Sequence, residues 1–323
     1  MKRNNSIDFV KGILILSVVL GHVLLGGVRQ NILRYMIYSI HMPLFIAMSG
    51  YLLNTDKLKT MSVKELIKKY FFWVGIPWII AVNVYFVWDN AEYLMNGKMD
   101  NMLKTYLISY VRPYLHLWYI PAFLTYVILT YIVVKLVNYY FQDKKSEYMV
   151  LGMFAGIISI IAFYNKIPSI KLYYYVFFVF GIFGKKLMED LRDEKTKSFV
   201  ISIAVTSVIV FLIRVFLFTT EYDLAKQVSL YYYVLNFPLI IAMCCILFLE
   251  KAPGCRWVEF AGRESLSIYL WHVLGKLIVI KLIGKEQISY YVANAFVFLF
   301  GMVLLYFGKK IKVVDKYIFG NIG

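Results

Sequence analysis

Residues 7–27 read IDFVKGILILSVVLGHVLLGG. An apolar run of this length matches the roughly 20 residues that a helix needs to cross a bilayer. Four groups interrupt it: Asp8, Lys11, Ser17 and His22. Comparable runs, bounded by charged residues or by Gly and Pro, recur near 31–53, 70–90, 114–136, 147–164, 170–186, 198–219, 229–249, 264–283 and 288–308. The pattern predicts an all-α integral membrane protein of about ten transmembrane helices.

Composition supports this reading. The chain has 323 residues, 61% of them hydrophobic, against about 45–50% in a soluble globular chain. Ten spans of about 20 residues leave roughly 120 for tails and loops, too few for a second soluble domain of ordinary size. The expectation is one membrane domain over 1–310 and a cytoplasmic tail over 311–323. Lys2 and Arg3 followed by an apolar run resemble a secretory signal. No small-residue cleavage pattern follows, so the run reads as a retained first helix.

The net charge of +16 is first a question of topology, not of nucleic-acid binding. With the N-terminus inside, segments 1–6, 54–69, 137–146, 185–197, 250–263 and 309–323 are cytoplasmic. They carry Lys and Arg over the outer segments by about three to one. Both termini are therefore expected in the cytoplasm. Cys244, Cys245 and Cys255 lack metal-ligand spacing and read as free thiols. In the longest loop, 89–113, Met102, Leu103, Tyr106, Leu107 and Tyr110 recur at helical spacing. That predicts an amphipathic helix on the membrane surface.

The chain has only four histidines. Polar groups inside a bilayer are expensive, and each is a functional candidate. His22 lies eleven residues after Lys11. At about 3.6 residues per turn this is close to three whole turns and about 16 Å of rise. Lys11 and His22 thus share a helix face. Asp8 suits the first turn and is three residues from Lys11. His41 opens His41-Met42-Pro43-Leu44-Phe45, and Ser49-Gly50 follows it. Pro43 frees a backbone carbonyl within the span. His116 begins His116-Leu117-Trp118-Tyr119, and His272 ends Ser265-Leu266-Ser267-Ile268-Tyr269-Leu270-Trp271-His272. Each motif also has a structural reading, as packing, kinking, interfacial anchoring or interhelical hydrogen bonding.

Taken in order, these motifs resemble acyltransferase family 3, the integral-membrane acyltransferases that O-acetylate cell-surface glycans. The resemblance covers about residues 1–310 and is nearest to members without a fused esterase-like domain. It implies acetyl-CoA as donor and a polysaccharide, or its lipid-linked precursor, as acceptor. It implies His22 as general base, with Lys11 and Asp8 beside it in the catalytic set. His41, Ser49, His116, Trp118, Tyr269 and His272 are the implied substrate-binding residues. Lys11, Lys68 and Lys69 are the cations implied for the CoA phosphates. Family members often carry Arg where Lys11 stands, and Lys offers a point charge without the bidentate fork. No metal is implied, since four dispersed histidines lack ligand spacing. The competing class is a polytopic transporter, which also places polar groups near the midplane. The chain lacks an internal repeat, and acids suited to proton coupling are scarce in its spans. Acylation of an amine, a lipid or a small molecule is the remaining alternative among enzymes.

Overall fold

A computed structural model describes residues 4–96, 101–114, 116–141, 143–165, 171–190, 195–219, 230–249, 252, 254–285 and 288–320. The described elements are helices: α1 (Asn5–Val23), α2 (Ile32–Tyr51), α3 (Thr55–Thr60), α4 (Val63–Tyr70), α5 (Ile76–Met95), α6 (Met102–Val111) and α7 (Tyr119–Tyr140). They continue with α8 (Lys144–Asn165), α9 (Tyr175–Asp190), α10 (Lys195–Thr219), α11 (Leu230–Leu249), α12 (Arg256–Arg263), α13 (Ser265–Ile283) and α14 (Ile288–Gly308). The protein is an all-α membrane protein.

Each of the ten expected spans falls on a helix. Among the described residues, seven helical stretches have the length and apolarity to cross a membrane. These are α1, α2, the run from α4 through α5, α7, α8, α13 and α14. Shorter apolar stretches occur in α10 (Val205–Phe216) and α11 (Tyr232–Leu247). α9 has 16 residues, short of the roughly 20 for a full crossing. The short loop expected at 165–170 lies, apart from the end of α8, outside the described residues.

The largest departure from expectation is in the third span. The third span starts earlier and ends later, because α4 runs through a π-helical turn at Phe71–Gly75 into α5. Pro77 stands at the start of α5. Its missing N–H and its ring bar regular pairing with the turn before it, and the π turn widens the backbone just there. α5 then continues to Met95, which shortens the 89–113 loop.

The chain divides into two compact units, residues 1–59, 128–167 and 171–265, and residues 60–127, 168–170 and 266–323. In the first unit, α1 packs on α12 and α2 on α9. Both contacts use glycine for close approach. Gly12 lies against the Val258 carbonyl and Gly262 against the Asp8 carbonyl. Gly50 lies against the Phe178 carbonyl and Gly181 against the Ala47 carbonyl. Asp8, Gly12, Ile15 and Val19 form a buried stripe along α1. Lys11 and His22 border it and are half-buried.

The same unit holds an ionic cluster around α3. Lys59 Nζ is 2.5 Å from Glu147 Oε2 and 3.1 Å from Asp56 Oδ1, and Lys144 Nζ is 2.9 Å from Asp56 Oδ2. Lys135 Nζ donates to the Lys59 carbonyl at 2.6 Å. This ties α3 to α7 and α8. The Lys144 ammonium beside Asp56, aided by Lys59, holds the Asp56 carboxyl below the usual carboxylate range.

In the second unit, Trp78 Nε1 donates to the Leu117 carbonyl at 3.0 Å. Residues beyond α14 fold back onto α13: Ser267 Oγ donates to the Phe319 carbonyl and Trp271 Nε1 to the Ile318 carbonyl. α6 forms where the amphipathic helix is expected, but its apolar residues divide. Tyr106 and Tyr110 hydrogen-bond Asn83 of α5 at 2.9 and 2.8 Å, while Leu103 and Leu107 are exposed.

Two stability tests follow from this packing. Gly262→Ala drives a methyl into the Asp8 backbone and should lower stability by about 3 kcal/mol or more, whereas Gly156→Ala, with open space around it, should be neutral or slightly stabilising. Thermal unfolding of detergent-purified variants ranks them; equal melting points would contradict the close contact. Glu147 and Lys59 side chains are 3% and 17% exposed, so Glu147→Gln should cost about 3 kcal/mol. Asp56 is 58% exposed, and solvent screening limits Asp56→Asn to below about 1 kcal/mol. The Asp56 carboxyl titrates lower when folded, so its contribution is complete above the unfolded value near pH 4 and is lost as pH falls further. The difference between wild type and Asp56→Asn should shrink to nothing in that acid window, read by the same melts.

Candidate functional site

The first unit brings two of the expected histidines into one aromatic chain. The His22 ring at the end of α1 meets the Tyr38 ring at 6.1 Å, and Tyr38 meets His41 at 5.1 Å, both edge-on. Arg34 lies over the Tyr38 ring of this link, with its guanidinium carbon 5.2 Å from the centroid. Its Nη1 donates to the Leu24 carbonyl at 3.0 Å and the Gly26 carbonyl at 2.5 Å. One arginine thus ties the end of α1, and with it His22, to the start of α2. Neither Tyr38 nor Arg34 belongs to the expected motifs. A tyrosine three residues before His41 was the available signal, since i and i+3 are neighbours on a helix.

His41 is buried. Its Nδ1 lies 2.6 Å from the Ile37 carbonyl of the preceding turn. A carbonyl takes only a proton donor, so Nδ1 carries the hydrogen and Nε2 carries the lone pair. Lys171 is near enough to act on His41 electrostatically. Lys11 and Asp8 stand toward the other end of α1, about 16 Å below His22 for Lys11 by helix rise. Asp8 is buried. Ser49 is also distant along α2 from His41 and bonds back to the Phe45 carbonyl at 3.0 Å.

Between His41 and the start of α2 the backbone shows why Pro43 matters. A proline leaves the carbonyl four residues earlier without its helical partner, which here is Ser39. Arg214 Nη1 of α10 donates to the Ser39 carbonyl at 3.1 Å, and Asn236 Nδ2 of α11 donates to it at 3.2 Å. The freed acceptor is satisfied by neighbouring helices, as the bilayer interior requires.

The second unit gathers His116, Tyr269 and His272. The two histidine rings are 5.1 Å apart, edge to face. Tyr269 donates to the His116 carbonyl and accepts from the Tyr119 N–H at 3.2 Å. Its hydroxyl therefore shapes the entry to α7 and fixes His116. His116 Nε2 lies 3.3 Å from the Leu270 carbonyl. His272 Nδ1 lies 3.0 and 2.9 Å from the Ile268 and Tyr269 carbonyls, which makes it the protonated nitrogen. Trp118 is half-buried with its ring beside Tyr119.

The organising residue of this cluster is Tyr85, which the motifs do not contain. Its hydroxyl donates to the Leu270 carbonyl at 3.1 Å and accepts from the Leu274 N–H at 2.9 Å. These are the two groups that a regular helix joins to each other. A side chain has entered the backbone ladder of α13, two residues from His272. Tyr114 stacks on Tyr85 at 4.8 Å. Lys68 and Lys69 lie on α4. Lys68 is exposed, and Lys69 sits 4.9 Å over the Tyr70 ring and 5.8 Å from the Trp73 ring. Among the described residues no three of His, Cys, Asp and Glu gather into a metal-ligand group.

Removing the Tyr85 hydroxyl tests this arrangement. Tyr85→Phe leaves a buried carbonyl and N–H to re-pair and should cost about 1–3 kcal/mol. Melting in detergent reads the loss, and an unchanged melting point would show that the α13 ladder closes without the hydroxyl.

The sequence matches the family profile described as an acyltransferase domain over residues 4–309. It is similar to the nodulation protein NolL of Sinorhizobium fredii, 27% identical over 202 residues, 58% of this chain and 50% of that protein. It is similar to an amino-acid racemase of Enterococcus faecalis, 22% identical over 343 aligned positions, 96% of this chain and 47% of that protein. NolL of Mesorhizobium japonicum is 32% identical over 118 residues, 32% of each chain. This chain thus spans about half the length, or less, of the curated relatives it matches. No solved structure matches it.

Proposed function

The chain belongs to acyltransferase family 3, whose profile covers residues 4–309, and from that membership we propose a specific reaction. It moves an acetyl or other short acyl group from cytoplasmic acyl-CoA to a hydroxyl of a cell-surface polysaccharide or its lipid-linked precursor. The termini face the cytoplasm, and the membrane is the bacterial inner membrane.

The observation that carries the proposal is the arrangement along α1. Lys11 and His22 border one buried stripe of a single helix and are both half-buried. Their separation, about 16 Å by helix rise, is comparable to a pantetheine arm. With Lys11 at the cytoplasmic end holding a CoA phosphate, the thioester reaches His22. His22 then takes a proton from the acceptor hydroxyl, whose oxygen attacks the thioester carbonyl. The tetrahedral intermediate collapses, the C–S bond breaks, and the departing CoA thiolate recovers the proton from His22. His41 presents its Nε2 lone pair as a hydrogen-bond acceptor for the acceptor hydroxyl, and Tyr38 spaces the two imidazoles.

The test uses labelled acetyl-CoA and purified protein. His22→Ala should lower turnover by about 10²–10⁴-fold with little change in CoA affinity. Lys11→Ala should weaken acetyl-CoA binding while leaving residual turnover at saturating donor. Wild-type turnover in His22→Ala removes the base assignment, and unchanged CoA affinity in Lys11→Ala removes the threading of the donor along α1.

A further inference from the structure

Arg214 is a lone cation in the apolar run from Val205 to Phe216. Its neighbours Phe211, Leu212, Ile213 and Phe216 are exposed, as lipid-facing residues are, whereas Arg214 is 2% exposed and points inward. A charge in that position is expensive and needs an explanation.

Support of the Ser39 carbonyl does not supply one. That acceptor already receives Asn236 Nδ2, and any neutral donor serves it as well as a guanidinium. Arg214 spends only Nη1 there. Among the described residues its Nε and Nη2, both buried, make no hydrogen bond, and no carboxylate pairs with it. Nε–H and one Nη2–H point the same way from the planar group. Together they form the side-on fork that grips two oxygens of a carboxylate or phosphate.

Asn236 adds a second requirement. Its Nδ2 donates to two carbonyls, Tyr232 at 2.7 Å and Ser39 at 3.2 Å. Those contacts fix the amide orientation, since two carbonyls accept only from the amino group. Oδ1 is left as a buried acceptor with no donor among the described residues. Tyr35 and Tyr232 lie within electrostatic reach of Arg214, and Tyr35 and Tyr232 are themselves buried. The cluster therefore offers an unspent cationic fork and an unspent acceptor, both attached through Ser39 to the helix turn that carries His41.

We propose that Arg214 and Asn236 form a binding site for a small oxyanion that also bears a hydroxyl, the oxyanion on the Arg214 fork and the hydroxyl donating to Asn236 Oδ1. Buried from solvent, the pair sits in a low-dielectric setting where such contacts are strongest. If the acceptor of the proposed transfer is the ligand, it is an anionic one; that extension rests on the acyl-transfer reading, while anion binding itself does not.

The experiment measures melting of the full chain in detergent with no acyl donor present, so its outcome is independent of turnover. The probes are sodium L-lactate and sn-glycerol 3-phosphate, with sodium chloride at matched ionic strength. Wild type should show a saturable rise in melting temperature with at least one oxyanion and none with chloride. A response to lactate alone identifies a carboxylate, to glycerol phosphate alone a phosphate. Arg214→Gln keeps a donor for the Ser39 carbonyl and should lose at least tenfold in apparent affinity. Arg214→Lys keeps the charge without the fork and should lose a comparable amount, which serves if the Gln variant does not fold. No saturable shift in wild type, a saturable chloride response of equal size, or variants as responsive as wild type would overturn the site.

Discussion

Inside a bilayer, a backbone carbonyl or N–H released from its helix has no water to turn to. Much of the polar architecture of this protein answers that constraint. Pro43 releases the Ser39 carbonyl, and Arg214 and Asn236 converge on it from two other helices. Tyr85 enters the α13 ladder and satisfies both the Leu270 carbonyl and the Leu274 N–H. Tyr269 does the same for the irregular backbone at His116 and Tyr119. In each case the backbone group so satisfied lies within a few residues of a histidine. The groups that hold the helices together also hold the imidazoles in place.

The consequence for function is preorganisation. His41 and His272 each commit Nδ1 to a backbone carbonyl of the preceding turn, which sets the tautomer and places the lone pair of the neutral ring on Nε2. His22 is placed differently. It borders a stripe packed by glycine contacts and is located by a ring contact to Tyr38 and by the Arg34 tie between α1 and α2. In the proposed reaction His22 accepts and returns the proton, and its imidazole at the end of α1 is half-buried.

Much of the helical layout was legible in the amino-acid order, because hydropathy is a sum over neighbours and each span carries its own signal. The third span shows where that signal blurs. Lys64, Lys68 and Lys69 lie on an amphipathic first segment, and a π turn before Pro77 joins it to α5, so a simple apolar window starts too late. The α6 segment shows a second limit. Its period was correct, yet Tyr106 and Tyr110 turned to Asn83 while Leu103 and Leu107 did not. Aromatic residues with hydroxyl groups satisfy apolar and polar neighbours alike, so periodicity alone does not separate the two.

What the sequence determined by itself was the solvent of this protein, its helical segments, and four histidine motifs that stand out because polar groups in hydrocarbon are costly. Arg214, a lone charge in an apolar run, carries the same cost, but no motif singled it out. Which polar group meets which emerges only when distant helices pack together. Arg214 and Ser39 are 175 residues apart, Asn236 and Ser39 197, and Tyr85 and Leu270 185. The reason is physical: in lipid the hydrophobic effect does not choose helix partners, so pairing follows from close glycine contacts and hydrogen bonds, and neither is written in any local stretch of chain.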